Sequence, residues 1–230
     1  MKDKREEAID LMKNAQYGAA VPLFLDLLES ESSSISIHYM LGQCYKFNGQ
    51  LSEAIESLEK SKELMKGVDS SEWNKHVYLA LGIAYQHNKE FDKAVEILKK
   101  GISICPQEWD LHNSLGLTYD LMNNLREAVN TYTKAQEIIV ATASKQDYKE
   151  IEEEDGTKGL FFDPGKTYLT LQSSPEYCTV LNNIGGSYLK AGDLESAEKA
   201  FKESIEFIPD GFNYPPPHDG LAIVNKKRNA

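Results

Sequence analysis

The chain has 230 residues, of which 41% are hydrophobic, and carries a formal net charge of -11 at pH 7. The hydrophobic content is ordinary for a folded protein, and the acidic balance argues against nucleic acid or an anionic membrane surface as the main partner, because both attract a basic face. The longest basic cluster is Lys226–Arg228, which is interpreted as solvated charge near the C-terminus.

Five segments of the chain follow one pattern of small and large residues. In four of them a glycine is followed by a tyrosine three residues later, by an alanine nine residues further on, and by a large side chain after another four. Small residues let two helices approach closely, and the large residue fills the space beside them, so each segment predicts a helix–turn–helix hairpin. The four sets are Gly42, Tyr45, Ala54 and Leu58; Gly82, Tyr85, Ala94 and Leu98; Gly116, Tyr119, Ala128 and Tyr132; and Gly185, Tyr188, Ala197 and Phe201, and the first segment matches at Ala8, Leu11, Ala20 and Phe24.

This pattern, with Pro106 and Pro209 closing two of the segments, resembles the tetratricopeptide repeat (TPR) family. The resemblance implies an all-α fold, a right-handed superhelical solenoid of five helix–turn–helix repeats in a single domain, residues 1–230. The spacing from Gly42 to Gly82 is 40 residues, longer than the family repeat of about 34, so we expect a longer second helix in repeat two. The predicted repeats are residues 1–34, 35–68, 75–108, 109–141 and 178–211, followed by a C-terminal capping helix within residues 212–230, which covers the apolar end of repeat five.

An insertion, residues 142–177, interrupts the pattern between repeats four and five. Its first part, residues 142–155, is interpreted as a continuation of the preceding helix that stops at Gly156. The following run, GLFFDPGKTYLTL at residues 159–171, has the form of a β-hairpin, because two β-prone runs flank an Asp-Pro-Gly turn. Ser174 and Pro175 then predict the N-cap and first residue of the next helix.

Three interpretations of this insertion are open at the level of sequence. It is a loop without fixed structure, or it folds back on its own array, or it docks on another chain. An isolated hairpin is marginal in water, so its apolar side chains need a surface to pack on. The side chains that would dock on another chain are Phe161, Phe162, Tyr168 and Leu169.

Cysteine usage and the opening residues indicate the compartment. Cys44, Cys105 and Cys178 lie far apart without a CxxC spacing, which fits a reducing compartment better than a disulfide framework. The opening segment, MKDKREEAIDLM, lacks the apolar core of a secretory signal, and the longest apolar runs fall far short of a membrane span. We therefore expect a cytoplasmic protein with no membrane partner.

No constellation typical of an enzyme or a metal site stands out in the sequence. The five histidines are scattered, without HExxH or Cys/His ligand spacing. Residues Asp163–Lys166 lack the glycine spacing and the following Ser or Thr of a phosphate loop. We therefore expect a non-catalytic protein that uses neither a cofactor nor a metal.

The resemblance to TPR proteins implies a concave groove, lined by the first helix of each repeat, in which this family generally binds peptides or helices. The predicted function is accordingly a protein-interaction scaffold whose partner is another protein or peptide. The alternative is a self-assembling or complex-building subunit that docks through residues 156–173 or a terminal repeat. The groove positions that the family pattern assigns are Arg5, Ile9, Met12, Tyr39, Met40, Gln43, Phe47, Leu79, Ile83, Gln86, His87, Asn113, Leu117, Leu121, Asn182, Asn183 and Leu189.

Overall fold

A computed structural model describes residues 3–66, 71–146, 148–152, 158–162, 171, 174–209 and 213–229. The chain divides into two compact units, Met1–Pro106 and Gln107–Ala230. In both units the described residues lie mainly in helices that form hairpin pairs. Among these helices, none is both long and apolar enough to span a lipid bilayer.

The N-terminal unit contains three helix pairs within its described residues. In each pair the first helix of a predicted repeat is followed, after a short turn, by the second helix of that repeat. The helices are α1 (Lys4–Lys13), α2 (Tyr17–Ser30), α3 (Ile35–Phe47), α4 (Leu51–Leu64), α5 (Ser71–His87) and α6 (Phe91–Ile104).

The C-terminal unit contains two further pairs, one added helix and two short strands within its described residues. The strands pair antiparallel, with Tyr148 opposite Phe162 and Glu152 opposite Lys158. The elements are α7 (Trp109–Leu121), α8 (Leu125–Gln146), β1 (Tyr148–Glu152), β2 (Lys158–Phe162), α9 (Pro175–Ala191), α10 (Leu194–Glu206) and α11 (Pro216–Arg228).

In every helix pair that carries the repeat glycine, this glycine is in contact with the large side chain of the second helix. A Cβ atom built on Gly42 would lie 2.6 Å from Cγ of Leu58, and one on Gly116 would lie 2.6 Å from Cδ1 of Tyr132. Contacts this short leave no room for a side chain, so glycine sets how closely the two helices approach. The pairs Gly82 with Leu98 and Gly185 with Phe201 repeat the arrangement.

Each of the five hairpin turns contains one residue with a positive φ angle. Glycine occupies two of these positions, with φ of 80° at Gly49 and 83° at Gly192. The other three are Ala15, Lys89 and Asn123, with φ between 56° and 60°. Asparagine tolerates this region, but alanine and lysine are strained in it, so at Ala15 and Lys89 the turn geometry is imposed by the packing of the helices on either side.

The predicted capping helix and the helix start predicted at Ser174 and Pro175 are confirmed. The Ser174 hydroxyl accepts a hydrogen bond from the Tyr177 backbone N–H at 3.3 Å, and Pro175 is the first residue of α9. Helix α11 covers α10, where Val224 is fully buried beside Phe201. An exposed apolar end of the last hairpin is thereby removed from water.

Two expectations about element length are wrong. Helix α4 has 14 residues, as α2 and α6 do, whereas α5 has 17. The additional residues of this repeat therefore lie before the residue at which the family pattern would begin α5, and they do not lengthen α4. The poor helix formers Gly67 and Asp69, which follow α4 in the sequence, agree with this. Helix α8 ends at Gln146, well before Gly156, because an acidic run is unfavourable at a helix C-terminus.

The insertion contains a β-pairing, but not with the predicted partner strand. Strand β2 pairs with β1, on its N-terminal side, and the turn expected at Asp163–Gly165 and the strand after it fall in residues 163–170, outside the described residues. β1 competes for β2 because it also carries β-prone side chains, at Tyr148 and Ile151. Leu171, at the end of the insertion, is only 7% exposed and belongs to the core of the C-terminal unit.

Candidate functional site

The residues assigned to a groove fall on the first helices of the pairs in both units. We call the set on α1, α3 and α5 the N-terminal face and the set on α7 and α9 the C-terminal face. The N-terminal face consists of Arg5, Ile9, Met12, Tyr39, Met40, Gln43, Phe47, Leu79, Ile83, Gln86 and His87, and the C-terminal face of Asn113, Leu117, Leu121, Asn182, Asn183 and Leu189.

These residues differ widely in how much of their surface reaches solvent. Phe47 is 57% exposed, Leu121 50% and Leu117 40%, although all three are large and apolar. Gln86, in contrast, is buried, and Met40 and Leu189 pack partly against neighbouring core residues. Large exposed apolar side chains that recur on one face are a common feature of binding surfaces. The full set of groove positions stays a prediction.

Three aromatic rings, including that of Tyr39 from the N-terminal face, come together between α3 and α5. The ring of Tyr39 lies 5.5 Å from that of Trp73 and 6.3 Å from that of His76, and the Trp73 and His76 rings are 6.3 Å apart. Tyr39 and Trp73 are half-buried, and His76 is exposed. We call this group the aromatic cluster; it offers a rigid apolar surface with polar edges.

Sequence reasoning missed Trp73 as a site residue. Trp73 lies in the first turn of α5, in the part of the helix that precedes the predicted start of repeat three at residue 75. A signal for it was present, since the long spacing from Gly42 to Gly82 requires additional residues in this region. The family pattern has no position for Trp73, so it could not be carried over from other repeats.

An amide group adjoins the aromatic cluster. Nε2 of Gln43 donates a hydrogen bond to the Tyr39 hydroxyl at 3.0 Å. Oε1 of Gln43 is buried and accepts no hydrogen bond from the part of the chain that the structure describes. This amide therefore orients Tyr39 while its own acceptor is left unsatisfied, a state that costs about 1–3 kcal/mol for a buried group.

Phe47, at the end of α3, is exposed but not isolated. Its ring stacks on that of Tyr17, with 4.7 Å between centroids and an interplanar angle of 20°. Nζ of Lys46 lies 4.3 Å from the Phe47 ring centroid, and burial lowers the pKa of this ammonium group. These contacts hold Phe47 in place before any partner arrives. Arg5, at the opposite end of the face, is engaged in an ion pair of 2.6 Å with Glu31.

The C-terminal face is organised by hydrogen bonds between α7 and α9. Nδ2 of Asn183 donates to Oδ1 of Asn113 at 3.0 Å, and the Ser187 hydroxyl donates to Oδ1 of Asp120 at 3.2 Å. Asp120 also forms an ion pair with Lys190. The two helices are thus tied together at three points, which fixes the platform that carries the exposed side chains of this face.

Leu117 and Leu121 lie one helical turn apart on α7, so both project from the same side of that platform. Asn182, on the neighbouring α9, lies near Tyr214, where its side chain opposes the rise that burial causes in the pKa of the Tyr214 hydroxyl. The C-terminal face therefore combines an apolar pair with amide groups that are held in position.

Cys44 lies on α3, the helix that also carries Tyr39 and Phe47. Burial raises the pKa of the Cys44 thiol to about 11, so it stays protonated and is a poor nucleophile at neutral pH. Within the described ranges, no three His, Cys, Asp or Glu side chains are grouped in a way that could hold a metal ion.

Of the four side chains of the insertion that were predicted to dock on another chain, two belong to residues that the structure describes. Phe161 and Phe162 lie in β2. Tyr168 and Leu169 fall outside the described residues. The docking role of this segment stays a prediction.

Models of the tetratricopeptide repeat match residues 33–107, 110–139 and 179–210 of the chain, which together make up more than half of it. The matched residues include parts of both units and of both faces.

Two curated relatives match shorter stretches. The BBSome complex member BBS4 of Mus musculus is 27% identical over 117 residues, which is 50% of this chain and 21% of BBS4. The peroxisomal targeting signal receptor of Candida albicans is 37% identical over 62 residues, 27% of this chain and 10% of the receptor. The chain thus spans about a fifth or less of the length of these relatives.

Solved structures resemble the chain over most of its length. The MamA fragment from Desulfovibrio magneticus RS-1 has a TM-score of 0.65 at 15% identity, covering 90% of this chain and 96% of that one. A further MamA crystal structure has a TM-score of 0.63 at 20% identity, with 89% of each chain covered. At these identities the likeness concerns the fold alone.

Proposed function

Since the chain belongs to the tetratricopeptide repeat family, we propose that it is a non-catalytic protein-interaction scaffold that binds a peptide or helix of a partner protein on its first-helix faces. The observation that carries this proposal is the aromatic cluster of Tyr39, Trp73 and His76. The two curated relatives bear names that refer to complex membership or receptor function, which supports an interaction role for the shared repeats.

The aromatic cluster suits an anchoring side chain of the partner. Aromatic residues are enriched among the side chains that carry most of the binding energy at protein interfaces, because they bury a large area at a low cost in conformational entropy. Tyr39 is held by Gln43, and Trp73 packs against Tyr39. An apolar side chain of the partner that covers these rings would therefore bind to a surface that is already ordered.

The C-terminal face supplies the same combination of apolar and amide groups. Leu117 and Leu121 offer an apolar stripe, and the linked amides of Asn113 and Asn183 lie on the neighbouring turns. Side-chain amides both donate and accept hydrogen bonds, so they can pair with the N–H and C=O groups of a peptide backbone without requiring a particular sequence. Apolar anchors would then determine which peptides bind.

Selection from a displayed random-peptide library on the immobilised full chain tests this proposal. The affinity of a selected peptide is then measured by fluorescence anisotropy for the wild type, for Trp73→Ala and for Leu121→Glu. We expect at least one of the two variants to bind each selected peptide about tenfold or more weakly, the effect of losing a central interface residue.

Ile223→Glu is the matched control, because Ile223 is also a large exposed side chain, at 46%, but lies on α11 outside both faces. It should bind with wild-type affinity. Thermal unfolding of each variant establishes that a loss of binding does not come from a loss of folding. Selected peptides that bind all three variants equally would place the binding site elsewhere and contradict the proposal.

A further inference from the structure

A second surface of the N-terminal unit lies among α2, α3 and α4 and shares none of its residues with the N-terminal face. It is an open cleft of about 640 Å³. We call it the acidic cleft. Its walls include Leu25, Leu28, Tyr45, Glu53, Glu56 and Glu63.

The cleft combines an apolar wall with an excess of negative charge. Leu25 is 45% exposed in it. Four glutamates line it, of which Glu63 pairs with Lys60 at 3.5 Å and Glu59 pairs with Lys62. The Glu56 side chain forms neither a hydrogen bond nor an ion pair with any residue that the structure describes. The electrostatic potential of the cleft is therefore negative, next to the exposed side chain of Leu25. Such a surface attracts a segment in which a basic side chain lies close to apolar ones.

One repeat further along the chain, the equivalent space lies among α4, α5 and α6, and we call it the neighbouring junction. There the chain's own side chains fill the space. At that junction the Tyr85 hydroxyl donates a hydrogen bond to Oε1 of Glu59 at 2.9 Å. Nζ of Lys93 lies 5.4 Å from the Tyr85 ring centroid, within the range of a cation–π contact. Tyr85 is only 7% exposed as a result.

The repeat pattern identifies the matching residues at the acidic cleft. Tyr45 takes the place of Tyr85, because each lies three residues after the repeat glycine. Leu25 takes the place of Glu59, one residue after the large side chain of the second helix. Glu53 takes the place of Lys93, one residue before the repeat alanine.

The two replacements remove both of the contacts that close the neighbouring junction. Leu25 cannot accept a hydrogen bond, and the Tyr45 hydroxyl donates none to any described residue. Glu53 presents a negative charge where Lys93 presents a positive one. Consistent with this, the pKa of Tyr45 is raised by burial and by the carboxylates of Glu53 and Glu56. The position that a cation occupies at the neighbouring junction is thus open here and surrounded by acceptors.

We propose that the acidic cleft binds a basic amphipathic segment of a partner protein. A lysine or arginine of that segment lies over the Tyr45 ring and pairs with Glu53 and Glu56. An apolar side chain one helical turn away covers Leu25 and Leu28. We infer a basic partner segment because the glutamates of the cleft complement a positive charge. The contact of Lys93 with the Tyr85 ring, within this chain, is an example of the same arrangement.

The test uses a fluorescein-labelled helical peptide of Leu, Lys and Ala with one apolar and one basic side. Its affinity for the full chain is measured by fluorescence anisotropy, alongside that of the double variant Leu25→Glu and Glu53→Lys, which rebuilds the closed neighbouring junction. We expect saturable binding to the wild type and a loss of about tenfold or more in the double variant. Glu56→Lys, at an exposed residue with no ion pair to lose, should weaken binding in the same direction.

Glu195→Gln on α10 is the control for net charge, since it changes the charge of the chain by the same amount as the double variant and lies in the other unit. It should retain wild-type affinity. The proposal is overturned if the wild type shows no saturable binding, or if the double variant and Glu56→Lys both bind the peptide as the wild type does.

Discussion

The ring of Phe201 lies directly against the backbone of Gly220, so that a Cβ atom built on Gly220 would stand 2.4 Å from Cζ of Phe201. The same ring also lies against Gly185, on its other neighbouring helix. Phe201 is 2% exposed in consequence. The added helix α11 is therefore docked on α10 by the same kind of contact that joins two helices within a repeat.

Replacing Gly220 by alanine should destabilise the C-terminal unit. The added methyl group cannot fit beside the Phe201 ring, and overpacking of this kind typically lowers the free energy of unfolding by about 1–3 kcal/mol. Urea denaturation followed by circular dichroism measures the change. Gly186→Ala is the control, because nothing lies within 4 Å of its added methyl group; there the gain in helix propensity should raise stability by about 0.5–1 kcal/mol. Equal effects at the two glycines would contradict the packing argument.

The turn residues with positive φ predict different effects for two substitutions. Gly49→Ala should lower stability by about 1–2 kcal/mol, through the backbone alone, because the space around Gly49 is open. Lys89→Gly, at the matching turn of the next pair, should be neutral or raise stability, because it relieves the strain at φ of 60°. Midpoints of thermal unfolding for the two variants test this. A stabilising Gly49→Ala would show that the turn relaxes to another geometry.

Alkaline pH should destabilise the N-terminal unit through Cys44. Its pKa in the folded protein is raised to about 11 from an ordinary value of 9.0, because the charged thiolate is disfavoured by burial. The unfolded chain therefore releases this proton first. The contribution of Cys44 to stability is complete below pH 9 and falls as the pH rises through 9 to 11.

Urea denaturation across this pH range, compared between the wild type and Cys44→Ala, isolates the contribution of the thiol. The two curves should converge as the pH rises, since the variant has no thiol to ionise. Tyr85, whose pKa is also raised by burial, is common to both proteins and cancels in the comparison. Parallel curves would mean that Cys44 ionises equally easily in the folded and unfolded chain.

Deleting residues 147–170 and joining the flanking residues with a short Gly-Ser linker should leave the number of chains per particle and the peptide affinity of the protein unchanged. This deletion retains Ala143 and Leu171, which belong to the core of the C-terminal unit. Light scattering gives the mass and fluorescence anisotropy the affinity. A fall in the number of chains per particle after the deletion would favour the alternative function, self-assembly through the insertion. Leu171→Ala is the complementary variant and should cost about 2–5 kcal/mol, because it opens a cavity.

The features that could be predicted from the sequence are those set within one repeat. Gly42 and Leu58 are 16 positions apart, and a hairpin of two helices brings such residues together whatever the rest of the chain does. Ser174 and Pro175 likewise signal a helix start through local chemistry alone. Because the same pattern recurs in five segments, each segment supports the assignment of the others as helix pairs.

Features that depend on a choice between distant partners could not be predicted in the same way. Strand β2 has a β-prone stretch on either side, and composition does not decide which one pairs with it. The long spacing before Gly82 did not show whether α4 or α5 takes up the additional residues, so Trp73 was missed. Burial of Gln86 on a face expected to be open depends on how neighbouring helices pack, which no single repeat encodes.

The difference between the two junctions in the N-terminal unit bears on how repeat arrays diversify. The contact that Tyr85, Glu59 and Lys93 close is open in its copy, where leucine and glutamate replace two of the three residues, and we propose that this copy is a receptor. Binding specificity can therefore arise from, or be erased by, two surface substitutions that leave every helix unchanged. By the same logic, Glu59→Leu with Lys93→Glu would graft a second receptor for a basic segment one repeat further along the chain.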